Sequence, residues 1–119
     1  MHKGDPLWRG WGSAAGLLPL FEEYVLYPDR LMVRRGLLGS TEEELLLYRV
    51  MDITLQRSLV EQLTGSGTVV LHAVDSSDPV LRLRGISRAG WVRDVLDEAV
   101  QAARDAAGVT GREMWGVAR

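Results

Sequence analysis

At 119 residues, 46% hydrophobic and 25% charged, the chain has the balance of one soluble globular domain rather than a disordered segment. It contains no cysteine, which excludes disulfides, thiolate metal sites and cysteine nucleophiles and fits a reducing compartment. The net charge of −2 argues against a duplex-binding protein, and no apolar run approaches the ~20 residues of a membrane-spanning helix.

The N-terminus, MHKGDPLWRGWG, carries one lysine followed by Asp5 and Pro6 and has no apolar stretch. It does not read as a signal peptide, so a cytoplasmic protein is expected, with the inner face of the membrane as a further possibility. Residues 1–7 and 109–119 are expected to be flexible ends around a single domain spanning 1–119, with its core from about 20 to 107. Trp8 and Trp11 flank Arg9-Gly10 ahead of the first clear strand. They pack over an open end of the fold or form an exposed patch for a partner.

Tyr24 to Tyr27 is strand-like, and Pro28-Asp29 makes the turn into a strand from Arg30 to Arg34. Gly36 and Gly39 bracket the next turn. The stretch TEEELLLYRVMDITLQRSLVEQLTGSG, from Thr41 to Gly67, divides in two. Ser40 and Thr41 each have a glutamate three residues on and so imitate a helix cap. Met51 to Gln56, however, alternates apolar and polar without exception, as a half-buried strand does. A long strand from about Thr41 to Gln56, bent near Arg49, is the expectation. Ser58 then has Glu61 three on, and Gly65 follows the last apolar position, which predicts a short capped helical turn at about 58–64.

Thr68 to Val74 is a continuous β-rich run, Asp75 to Pro79 a polar turn, and Val80 to Arg84 an alternating strand. After Gly85 the period changes. Val92, Val95, Leu96, Ala99, Val100 and Ala103 recur at spacings of three and four, predicting an amphipathic helix from about Arg88 to Ala107. Ser87 is its expected cap, Gly108 its stop, and Trp91 is expected to pack inward. Strands first and helix last give a mainly β, α+β fold: a small antiparallel sheet or barrel closed by a C-terminal helix.

With these elements placed, the chain resembles the bacterial pleckstrin-homology-like (PH-like) domains. The resemblance rests on Tyr24-Val-Leu-Tyr-Pro-Asp-Arg-Leu-Met-Val-Arg-Arg-Gly-Leu-Leu38, on Glu44 to Leu59 with Gly65-Ser-Gly-Thr-Val69, and on Pro79-Val-Leu-Arg-Leu-Arg-Gly-Ile86. It covers about residues 20–107. It implies a bent, partly open antiparallel barrel or sandwich of about seven strands with a helix plugging one end. It also implies a stand-alone module that associates with itself or another protein. The chain departs from the pattern at Arg57, which separates Gln56 from Ser58, and at Tyr27-Pro28, which alters the first hairpin.

No catalytic constellation assembles from the sequence. His2 and His72 are its histidines, and Gly65-Ser-Gly67 lacks the strand and helix context of a nucleophile elbow. Glu42, Glu43 and Glu44 alternate faces on a strand and cannot converge on one cation. No cofactor or metal is expected, and Asp52 and His72 read as structural. By likeness to eukaryotic PH domains, Arg30, Arg34 and Arg35 are candidates for a phosphate or headgroup site, each able to hold an anion bidentately. The leading expectation is a non-enzymatic, self-associating interaction module that binds no nucleic acid. The alternative is a peripheral membrane or headgroup binder.

Overall fold

The structure, a computed structural model, describes residues 4–13, 21–36, 40–73 and 80–108. The elements run β1 (Trp8–Ser13), β2 (Phe21–Leu26), β3 (Arg30–Gly36), β4 (Ser40–Leu46), a 3₁₀ turn (Leu47–Arg49), β5 (Val50–Gln56), α1 (Leu59–Thr64), β6 (Gly67–Ala73), β7 (Val80–Ile86) and α2 (Ala89–Ala106). Strands β1-β2-β3-β4 form one antiparallel sheet and β5-β6-β7 a second. The expected architecture of about seven antiparallel strands with a closing helix holds.

Period-two alternation places the core. Tyr24 and Leu26 of β2, Leu31 and Val33 of β3, and Val69, Leu71 and Leu83 of the second sheet are all buried in one cluster. Helix α2 completes it with Val92, Leu96, Ala99 and Val100, the stripe that the sequence spacing marks out. The Tyr27-Pro28-Asp29 turn closes an ordinary hairpin, with the Tyr27 amide donating to the Arg30 carbonyl at 2.8 Å.

The segment expected as one bent strand is two strands of different sheets. The bend at Arg49 is the 3₁₀ turn, whose Leu47 is fully buried and whose amide donates to the Asp29 carbonyl at 3.0 Å. The alternation then slips by one residue. A bulge between Val50 and Asp52 leaves Met51 exposed and turns Val50 into the core.

Three further expectations are corrected. Trp8 to Ser13 is itself a strand, paired along its whole length with β2, and the Leu7 amide extends the pairing to the Leu26 carbonyl at 2.6 Å. Its Gly-rich sequence has low strand propensity, but the glycines fit the site: a Cβ at Gly10 would overlap the Trp8 indole, and one at Gly12 would lie 2.8 Å from the Arg84 carbonyl oxygen. Ser87 does not cap α2. The residue before the helix is Arg88, in the left-handed region at φ 54°, and the Ala89 amide is satisfied instead by the Gly65 carbonyl at 3.0 Å. Trp91 is 45% exposed rather than packed inward. The expected turns at Gly39 and Asp75–Pro79, Val74, and the tail 109–119 lie outside the described residues.

Candidate functional site

The first sheet separates the three candidate arginines. Arg34 lies opposite Glu23 and Glu42, on the outer face that also carries Arg9, Met32 and Glu44, and Arg30 is two register positions away on that face. Arg35, one residue on, points to the inner face, so the three do not converge. Each is held by carboxylates. Arg30 pairs with Glu44 and, at 3.2 Å, with Asp29. Arg34 reaches Glu23 at 3.0 Å, and Glu23 also takes Arg9 at 2.8 Å. Arg35 bridges Glu22 at 3.2 Å and Glu43 at 2.8 Å. Burial works against the Arg35 charge, but pairing with Glu43 and Glu22 outweighs it and holds the guanidinium above its ordinary pKa.

The inner cluster continues from Arg35 to the tyrosine of the core. Glu22 is 6% exposed and accepts a hydrogen bond from the Tyr24 hydroxyl, which itself accepts the Arg84 amide at 3.2 Å. Burial, and then the bond to Glu22, push the Tyr24 phenol well above its ordinary value of 10.0. This chain of polar groups links β3, β2 and β7, and its members satisfy one another. Glu42 and Glu44 face outward while Glu43 faces inward, so the glutamate run is divided between two faces.

The two N-terminal tryptophans also part company. Trp8 packs against the core, stacked on Tyr24 with centroids 6.4 Å apart. Trp11 is 58% exposed on the outer face of β1, across from Glu23. Of the residues read as structural, His72 is half-buried on the second sheet, across from Asp52 and Val80. Asp52 borders a cleft of about 350 Å³ between β5 and α2, together with Met51, Arg93, Asp97, Gln101 and Arg104. Opposite charges are mixed along that cleft, and Arg104 is already engaged with the Val50 carbonyl at 3.3 Å.

A different corner stands out, at the junction of α1 with the start of α2. Helix α1 is held by a complete capping box, Glu61 amide to Ser58 Oγ at 3.1 Å and Ser58 amide to Glu61 Oε1 at 2.9 Å, and is ended by Gly65 at φ 83°. It buries none of its own residues: Leu59, Val60 and Leu63 are 80%, 69% and 88% exposed. Beside it, the Arg88 guanidinium sits 4.6 Å from the centre of the Trp91 ring. The Arg57 guanidinium lies against Gly90, close enough that a Cβ there would stand 3.1 Å from Nη2.

The arginines of this corner differ from those of the first sheet. Among the described residues, Arg57 and Arg88 at this corner, and Arg82 and Arg84 on β7, are exposed and have no carboxylate within ion-pair reach. The sequence contained the signal. A capped turn only six residues long that holds Leu59, Val60 and Leu63 has too little length to bury a face of its own.

No helix among the described residues is long and apolar enough to cross a membrane. No curated protein and no solved structure shows significant similarity to the chain. A family model described as bacterial PH domain matches residues 11–100, from the exposed tryptophan of β1 to the last buried valine of α2, and the chain belongs to that family.

Proposed function

We propose that this domain is a non-enzymatic interaction module that attaches peripherally to an anionic membrane surface. The observation that carries the reading is the segregation of its arginines. Those of the first sheet are neutralised by Glu22, Glu23, Glu43, Glu44 and Asp29, whereas Arg57 and Arg88 at the α1–α2 corner, and Arg82 and Arg84 on β7, have no carboxylate partner. An unpaired arginine near an anionic leaflet contributes about 1 kcal/mol, while one already in an ion pair adds little attraction. The net charge of −2 therefore understates the local potential. The anionic inner leaflet fits a cytoplasmic protein. The non-enzymatic part of the reading rests on a sequence without cysteine and with two histidines far apart in the chain.

Self-association is the second reading, and the exposed Trp11 on β1 favours it. Edge pairing through β4 is disfavoured, because Glu42, Glu43 and Glu44 would meet the same residues of a second copy.

Flotation with vesicles of equal parts phosphatidylglycerol and phosphatidylcholine, against phosphatidylcholine alone, tests the reading. Wild type is expected to float with the anionic vesicles only, and the combined variant Arg57→Glu, Arg84→Glu, Arg88→Glu to remain in solution. Equal flotation of the two proteins, or none by wild type, contradicts it. Light scattering on a concentration series, with Trp11→Ser as the comparison, tests the second reading.

A further inference from the structure

Resting on that reading, we infer that α1 is an insertion element, and that Leu59, Val60 and Leu63 enter the boundary between headgroups and acyl chains of an anionic bilayer. A short helix ordinarily forms because an apolar face is buried by the rest of the protein. Here the caps at Ser58 and Gly65 and the Ala89–Gly65 hydrogen bond hold the helix in place while its aliphatic side chains stay in water. The fold thus presents a capped apolar tip without using it in the core.

What surrounds the tip identifies its occupant. Trp91, two residues beyond the Ala89 that is bonded to the end of α1, is 45% exposed, and tryptophan favours the headgroup level of a membrane. Arg88 stacks on Trp91 from a left-handed backbone that residues other than glycine seldom adopt, and Arg57 lies against the same turn of α2. An aliphatic tip with tryptophan and unpaired arginine at the adjoining start of α2 has the chemistry of an interfacial anchor: apolar groups below, indole at the boundary, guanidinium on phosphate. The one acid in α1, Glu61, is committed to the capping box. A second copy is a poor fit, because two tips meeting head-on would bring Arg57 and Arg88 of each against those of the other.

The native chain has no cysteine, so a single introduced thiol can be labelled uniquely. A bimane probe at Leu63→Cys is expected to be quenched by spin-labelled lipid in phosphatidylglycerol–phosphatidylcholine vesicles. A probe at Glu42→Cys, on the outer face of the first sheet, is expected to be unaffected. The variant Leu59→Ser, Val60→Ser, Leu63→Ser is expected to melt like wild type, since these residues are outside the core, yet to lose at least about tenfold in vesicle affinity. If that variant binds as tightly as wild type and the Leu63 probe is not quenched, insertion is overturned while electrostatic attachment stands. If wild type is an oligomer that the serine variant disperses, and neither binds vesicles, the tip is a contact between copies and insertion is overturned with the membrane reading.

Discussion

The amide of Ala89 donates to the carbonyl of Gly65 at 3.0 Å, fastening the first turn of α2 to the end of α1 across the corner of the fold. This bond gives the Ala89 amide a partner where α2 has no side-chain cap, and ties the end of α1 to the start of α2. Local sequence and long-range contact meet in one glycine. Gly65 must be left-handed to end α1, and in that conformation it presents its carbonyl to α2.

Gly65→Ala is expected to cost about 1 kcal/mol, the penalty of a Cβ in left-handed backbone. No atom stands within 4 Å of where that Cβ would lie, so conformation and not collision sets the loss. Urea unfolding monitored by circular dichroism measures it.

Tyr24→Phe is expected to cost about 1–3 kcal/mol at neutral pH, because the Arg84 amide and the Glu22 carboxylate both lose their buried partner. The same variant tests the titration of the phenol. Its folded pKa is raised above the unfolded value of 10.0, so this stabilisation is complete below that pH and is lost as pH rises toward the folded value. Wild type should therefore weaken above pH 10 more steeply than Tyr24→Phe, as read from melting temperatures across an alkaline series.

Gly12→Ala is expected to destabilise by about 1–3 kcal/mol. Its Cβ would press on the Arg84 carbonyl and the Tyr24 ring, where β1 meets β7. Thermal melting checks this, with Gly4→Ala, which has open space around it, as the reference for strain without collision.

Leu96→Ala and Leu63→Ala form a matched pair. Leu96 is fully buried and its truncation is expected to cost about 2–5 kcal/mol, whereas Leu63 is exposed and should change stability by less than about 0.5 kcal/mol. A large loss at Leu63 would mean that α1 packs on the protein after all.

Where the sequence was legible, local physics decided the outcome. The Ser58–Glu61 box and the Gly65 stop are complete within eight residues, and the α2 stripe repeats often enough to leave one orientation. Met51 was misplaced because a bulge is set by register with His72 and Ala73, far along the chain. The strand at Trp8–Ser13 was hidden by Gly10 and Gly12, whose presence answers to Trp8, Tyr24 and Arg84 rather than to strand propensity. Arg30, Arg34 and Arg35 looked like one basic patch, but their partners Glu22, Glu23, Glu43 and Glu44 become visible only once the strands are paired.

Hydrogen–deuterium exchange with and without phosphatidylglycerol–phosphatidylcholine vesicles tests the central claim most directly, because it reports where the bilayer touches. Slower exchange is expected in the segments 57–66 and 84–91, with Arg30–Gly36 unchanged. Protection confined to Arg30–Gly36, or no protection at the α1 corner, would contradict the account.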